Sequence, residues 1–553
     1  MVTDMATDMV PKQLFRDSRL GLRRKSCGTG GGGAKFVFAL TTIFFASPSI
    51  AQVAPRENPP NTSTDTSTAQ AQSPTFRITP SIELNERFTD NAALVSAGTA
   101  ESDWVTDASA GVRVDYRAAR ATGLLDFRVN RLIHASFSRL NSTQHRLNSN
   151  ATLEALEKWL FIDARASIAQ QNRSAFGVAD IAELTSERAN RIETTTYQFA
   201  PYVRGAIANI ATYQIRAAAS ESRTGESAFP DSRTYELTGF AKNPASSDRL
   251  GWNVDGSSLS LDNQAIGKRS NSRVRATLTL EVDAQFLVSA GSGRESTNLD
   301  GAQKRTRNNF GFGFEWSPSQ RTQLTALTQK RFFGNDHLVS ISHRTPLSAW
   351  SFLSAKEIVV SGNELSASTP ASVNSLLSNL LASTFADPIG RTDATQRQID
   401  QTGIPPSSGI QDGLFGLRPI LSRRQEASVV LRGSRNTFTL AIGQREQRLI
   451  EANGTVIGNI ALTEEFRQTR YNATWAYRLS RESTLRLVLS QFRTEGLDAE
   501  NRSTRQKFQG LFFVTQLGPR ATTSLGIQRV LFDSTVTTGY RENVFLSSLS
   551  IRF

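Results

Sequence analysis

Phe310-Gly-Phe-Gly-Phe-Glu-Trp316 sets an aromatic ring at every even position and a glycine or glutamate at every odd one. In an extended chain successive side chains point to opposite faces, so this segment has one greasy face and one bare or polar face. Working outward, Tyr471, Ala473, Trp475, Tyr477 and Leu479 repeat the alternation against Arg470, Asn472, Thr474, Ala476 and Arg478. Leu485, Leu487 and Leu489 resume it after Ser480-Arg-Glu-Ser483. Ala427, Val429 and Leu431 run into Gly433-Ser-Arg-Asn436, and Phe438, Leu440 and Ile442 return, which is a hairpin.

A soluble β-sandwich would alternate too, so the connections decide. Short turns at Arg117-Ala-Ala-Arg120, Asn243 to Ser246, Ser317-Pro-Ser-Gln320, Gly433 to Asn436, Ser480 to Ser483 and Gly518-Pro-Arg520 interleave with longer polar segments. The longer ones include Asp90 to Asp103, Asn172 to Asn190, Arg223 to Asp231 and Thr494 to Arg502. Short turns at one end and long loops at the other describe an all-β, antiparallel transmembrane barrel of the bacterial outer membrane, with the short turns periplasmic and the long loops extracellular. Counting turns gives roughly ten hairpins and hence roughly 22 strands, within a range of roughly 16 to 24.

Composition agrees. Over 553 residues, 38% hydrophobic and 8% aromatic content with 20% charged is lean for several soluble cores and ordinary where only alternate residues meet an apolar phase. Beyond the leader, no run approaches the roughly 20 apolar residues of a transmembrane helix. The single cysteine, Cys27, precedes the expected cleavage point, which removes disulfides, thiolate metal sites and cysteine nucleophiles from the mature chain.

The N-terminus reads as an export signal over residues 1–51. A basic stretch from Arg23 to Lys35 precedes the apolar run from Phe36 to Phe45, and Ser49-Ile50-Ala51 places small residues at both recognition positions, Ser49 and Ala51. General secretion is the expected route, because a barrel crosses the inner membrane unfolded. Residues 52–75 are Pro-, Ser- and Thr-rich and read as a short disordered periplasmic tail. The barrel is expected over 76–553. At its end Phe545, Leu549, Ile551 and Phe553 share one face and the last residue is aromatic, which looks like the signal read by the barrel assembly machinery.

One stretch breaks the rhythm. Residues 362–423 form a connection too long to be a simple turn, with a helical pattern from Val373 to Ala386. Two readings stand: a loop folded into the lumen that narrows it, or a mobile extracellular loop.

The four histidines, His134, His145, His337 and His343, have no metal-ligand company, and the latter two sit about 20 Å apart along a strand. No metal, no cofactor and no enzyme activity is expected, since no spacing singles out a nucleophile with its base. The arginines say more. Arg113, Arg128, Arg165, Arg273, Arg275, Arg470, Arg478 and Arg486 occupy the parity opposite the apolar one. On the lipid face near mid-membrane each would cost roughly 2–4 kcal/mol, so they should face the lumen. There they either make cross-strand pairs with aspartates that knit a wide wet barrel, or create a positive field that admits anions. The net charge of +13 does not imply nucleic acid, which an exported barrel does not meet.

Several phrases give the sequence a family likeness: Phe88-Thr-Asp-Asn91, Leu160-Phe-Ile-Asp-Ala-Arg-Ala-Ser167, Trp316-Ser-Pro-Ser319, Arg331-Phe-Phe-Gly334, Ser342-His-Arg-Thr345 with Trp350-Ser351, and Arg435-Asn-Thr437. In this order the chain resembles the outer-membrane proteins associated with PEP-CTERM/exosortase systems. The resemblance implies an outer-membrane location beside exopolysaccharide export or surface-protein sorting, and supplies no catalytic residues. The long connection departs from the pattern, notably at Ser407-Ser-Gly-Ile-Gln411. The expected function is a conduit for an anionic polymer or solute, the first alternative a non-transporting barrel that anchors surface polysaccharide or sorted proteins, and the second an outer-membrane enzyme. Expected partners are outer-membrane lipid and lipopolysaccharide, the assembly machinery and exopolysaccharide export components.

Overall fold

The computed structural model describes residues 75–553 except 97, 179–189, 209, 226–230, 244–248, 265, 361–372, 382–390, 392–393, 396–417 and 451–464. Ser49, Ala51, the tail through residue 74 and much of 362–423 lie outside the described residues.

The wall opens with β1 (Thr75–Thr89), β2 (Asp103–Arg117), β3 (Ala121–His134), β4 (Ser142–Leu156), β5 (Leu160–Asn172), β6 (Arg191–Ile207) and β7 (Ala211–Thr224). It continues through β8 (Ser232–Lys242), β9 (Leu250–Asn263), β10 (Gly267–Glu281), β11 (Phe286–Thr297), β12 (Arg305–Ser319), β13 (Thr322–Arg331), β14 (Gly334–Arg344) and β15 (Ser348–Val359). Helix α1 (Val373–Leu381) follows, and then β16 (Ile420–Arg432), β17 (Asn436–Leu449), β18 (Glu465–Arg478), β19 (Ser483–Gly496), β20 (Ser503–Gly518), β21 (Ala521–Ser534) and β22 (Tyr540–Arg552). Each strand pairs antiparallel with its sequence neighbours, and β22 closes on β1 with Phe545 opposite Phe88, Leu549 opposite Leu84 and Ile551 opposite Ile82. Closure satisfies every backbone ladder inside the sheet, the requirement for a β-structure surrounded by hydrocarbon.

Burial is inverted relative to a soluble protein. Phe312 is 59% exposed, with Phe310, Trp104 and Ile527 alike, while Thr89, Asp163, Thr234, Glu295 and Glu542 are buried. Water would not tolerate such an exterior, and lipid does. The chain is an outer-membrane β-barrel of 22 strands. No helix among the described residues is long and apolar enough to cross a membrane, so the crossing is made by strands.

Connections after even-numbered strands have two to seven residues, and those after most odd-numbered strands are longer. The short-turn end is the periplasmic one. Two links at the long end are short, the three residues 264–266 between β9 and β10 and Phe332-Phe333 between β13 and β14; β13 and β14 are also short strands, so the wall is low there.

Two expected boundaries move. β16 starts at Ile420, because Ile420 and Leu421 pair with Val359 and Ile358, so Ile420 to Arg423 belong to the wall and not to the long connection. Of the expected helix, Val373–Leu381 is helical, and residues 382–386 lie outside the described residues. Ser317 to Ser319 stay in β12 past a register shift after Trp316, and the turn falls at residues 320–321. One curvature device was invisible in the alternation. A Cβ at Gly293 would collide with the Val274 carbonyl, and one at Gly311 would come within 2.5 Å of the Thr328 carbonyl. Both glycines face inward where the sheet bends too tightly for a side chain.

Candidate functional site

The lumen is the concave surface of this fold, and its chemistry follows from parity. On β1 to β3 the inward residues form acid–base pairs: Arg87 with Asp107 at 3.2 Å, Arg128 with Glu83 at 3.1 Å, and Arg113 with Asp115 at 3.0 Å and Asp126 at 4.0 Å. Buried His134 lies 3.2 Å from Asp103 and helps hold β3 to β2. On β5 to β7, Arg216 meets Asp163 at 2.5 Å, with Arg165 beside them on the same inner face, while Arg204 lies over the Phe161 ring at 4.1 Å. On β9 to β14, Arg275 and Arg273 share Asp255 at 3.1 and 3.9 Å, and Arg331 joins Glu295 at 2.5 Å and Asp336 at 3.3 Å. Along these strands the arginines singled out from sequence lie among acids that also face inward.

The wall of β16 to β19 is different. Its inward parity carries Arg424, Arg432, Arg445, Arg470, Arg478 and Arg486 against a single inward acid, Glu426, whose Oε1 lies 3.6 Å from Arg424. Arg424 stands directly across the ladder from Arg445. Arg470 and Arg486 rest on rings, over Phe492 at 5.1 Å and over Phe512 at 4.5 Å. Arg478 is separate from this group: it is exposed at the end of β18 and donates to the Ser434 carbonyl at 2.6 Å, so it belongs to the periplasmic rim. Arg424 escapes the sequence reading because the upper end of β16 looks like loop, and Arg445 because it lies beyond Ile442, where the apolar alternation of β17 ends. Extending the parity of Ala427, Val429 and Leu431 backwards would place Arg424 inside.

Against this wall sits α1. Its sequence, VNSLLSNLL, puts Leu376, Leu377 and Leu380 on one helical face, and all three are buried against Ala349, Val430 and Ala476. Those three wall residues have inward parity and lie near the periplasmic ends of β15, β16 and β18. The helix is therefore inside the barrel, about a strand length below Val359 and Ile420 at the opposite end. Ala476 is paired in register with Arg486, so the helix docks immediately beside the arginine wall. Two small residues and a valine leave the shallow seat that three leucines fill.

A second inner surface is apolar. Phe508, Phe512, Val530, Tyr540 and Leu546 form one buried cluster on β20 to β22, packed with Val178 from the connection after β5. That connection also brings Phe176 against Phe466, and Asn190 donates to the Ser174 and Val178 carbonyls at 3.0 and 3.2 Å. The lumen is thus occupied by inward-folded chain at two places.

No protein-family model matches the sequence, and no curated protein matches it. Solved barrels do. The chain is similar to the siderophore receptor PirA from Pseudomonas aeruginosa, at 11% identity over 87% of this chain and 81% of that one, with a TM-score of 0.39. It is similar to the FrpB iron transporter from Neisseria meningitidis, at 10% identity over 86% and 81% with a TM-score of 0.46. The outer membrane protein opdK from Pseudomonas aeruginosa aligns at 7% identity over 86% and 99%, with a TM-score of 0.33. Likenesses this distant carry no argument about cargo or mechanism.

Among the described residues no group of three or more His, Cys, Asp or Glu is placed to hold a metal. His337 and His343 both face outward on β14, His337 bonded to the Ser354 hydroxyl at 3.0 Å and His343 to the Thr322 hydroxyl at 2.8 Å.

Proposed function

We propose that this barrel is an outer-membrane conduit for anionic polymer, restricted by the helix seated in its lumen. The observation that carries the reading is the wall of β16 to β19, where Arg424, Arg445, Arg470 and Arg486 face inward with one inward glutamate, and where α1 docks beside Arg486. A low-dielectric wall lined by one sign of charge raises the local concentration of the opposite sign. Repeated arginine side chains suit a chain of carboxylates or phosphates better than a single small ion, because each guanidinium offers a planar fork of donors. Exopolysaccharides exported by systems of the PEP-CTERM/exosortase type fit that chemistry, and the phrases from Phe88-Thr-Asp-Asn91 to Arg435-Asn-Thr437 support the association.

The test uses purified barrel in planar bilayers. Replacing residues 362–417 by a short polar linker keeps all of β16 and should raise single-channel conductance. Arg424→Gln, Arg445→Gln, Arg470→Gln and Arg486→Gln together should lower anion preference, read as a shift in reversal potential across a salt gradient. Unchanged conductance and unchanged selectivity would favour the second reading, a sealed anchoring barrel. The apolar inner cluster around Phe512 and Val178 speaks for that alternative, because it fills lumen without offering a path.

A further inference from the structure

The outer surface carries a feature that neither lipid burial nor transport requires. Moving toward the extracellular end of β19 to β22, the outward parity changes from apolar to cationic: Leu487 and Leu489 give way to Arg493, Leu511 to Lys507 and Arg505, Ile527 to Arg529, and Phe545 to Arg541. The ladder places these residues side by side. Arg493 is directly opposite Arg505, Lys507 is opposite Leu531, and Leu531 is opposite Arg541. With strands about 4.8 Å apart and same-face neighbours about 7 Å apart along a strand, the five cations occupy a patch roughly 15 Å across.

What marks the patch is the clustering of cations on four adjacent strands with little neutralisation. Other outward cations at this level sit in groups that contain an acid: Arg223 and Arg233 each reach Glu221 at 3.0 Å, and Arg467 reaches Glu446 at 2.7 Å with Arg423 at 3.9 Å. Within the patch, Arg493 takes Glu495 at 2.5 Å. Arg505, Lys507, Arg529 and Arg541 make no ion pair among the described residues, even though Asp533 stands across from Arg505. Like charges opposed on one sheet face are destabilising unless something anionic lies over them. The patch begins where the apolar band ends, at the level of lipid headgroups, and it points away from the lumen.

We propose that this patch is a binding site for the phosphate groups of an outer-leaflet glycolipid, whose acyl chains lie along Leu489, Leu511, Ile527 and Phe545 beneath it. Guanidinium groups bind phosphate through paired hydrogen bonds, and clustered basic residues beside a hydrophobic band recognise anionic lipid headgroups. Shared position on four adjacent strands makes the site rigid before the lipid arrives. It would also fix one side of the barrel to a particular lipid, independently of anything the lumen does.

The experiment is native mass spectrometry of the full barrel in neutral detergent, titrated with diphosphorylated lipid A or with the same glycolipid after phosphatase treatment. Wild type should retain the phosphorylated form and release the dephosphorylated one. Arg505→Gln, Lys507→Gln, Arg529→Gln and Arg541→Gln together should lower retention roughly tenfold or more. Arg223→Gln with Arg233→Gln, at the same level on the far side, should retain it as wild type does. The single variants Lys507→Gln and Arg541→Gln, each expected to weaken retention, are measured in parallel, so poor folding of the fourfold variant leaves the test intact. Equal retention of both glycolipids would overturn the proposal, as would wild-type retention by all patch variants. Displacement by inorganic phosphate at a concentration matching the glycolipid would also overturn it, since the site would then be one for free anions.

Discussion

Asp163 and Arg216 illustrate what a wet lumen still demands of individual residues. Their side chains are only 2% and 7% exposed, and Arg216 also lies over the Tyr202 ring at 5.3 Å. Removing one partner strands the other charge away from water, so Asp163→Ala should destabilise the barrel by about 3–5 kcal/mol. The measure is the urea midpoint of folding into detergent followed by tryptophan fluorescence. Asp163→Leu with Arg216→Met should recover most of the loss, because no orphan charge remains. Glycines give a second prediction of opposite origin. Gly293→Ala should reduce the assembled fraction sharply, since backbone and not a movable side chain blocks its Cβ, whereas Gly239→Ala, whose nearest neighbour is 3.5 Å away, should assemble normally. Scoring the heat-shifted band on gels for both variants distinguishes them.

At the level of elements, α1 is the piece whose removal should change behaviour without changing the wall. Leu376→Asn, Leu377→Asn and Leu380→Asn together should undock the helix from Ala349, Val430 and Ala476, giving the conductance of the 362–417 replacement while heat-modifiability persists. Wild-type conductance in the triple variant would mean that the docked helix is not the restriction. The helix itself is readable in the spacing of its leucines. Its seat is not, because the three wall residues come from three strands and none is unusual alone. β20 shows a different limit. Leu511-Phe512-Phe513-Val514 is apolar on both parities, so alternation cannot say which ring meets lipid. The structure turns Phe513 outward and lays Phe512 inward over Gly510 and Gly526. Period two is a contrast between faces, and it vanishes wherever the inner face is also apolar. The 22 strands and the inward parity of the arginines follow from the sequence because most strands keep that contrast. Which arginines find acids does not, since pairing depends on register between strands.

For the whole molecule, the decisive joint is the seam. Phe553 donates its backbone N–H to the Pro80 carbonyl at 2.9 Å, and Phe545, Leu549 and Ile551 oppose apolar partners on β1. Phe553→Ala, or deletion of Phe553, should lower the amount of assembled barrel far more than Ser547→Ala, which sits on the same outward parity. Outer-membrane fractionation with the heat shift on gels reads both, and equal assembly would show that the terminal ring is not recognised. The seam also sets the order of events in time. Thr89 donates its hydroxyl to Glu542 at 2.9 Å across 453 positions of chain, so β1 waits, half of its ladder unsatisfied, until the last strand exists. Joining ends that far apart costs about 5 kcal/mol of chain entropy, and none of it is offset until the final ladder zips. A chain cut short anywhere before β22 therefore keeps two open edges, however complete its other hairpins are. Such a product is a substrate for proteolysis or edge-to-edge aggregation, and the closing strand acts as a checkpoint on synthesis having passed through β22.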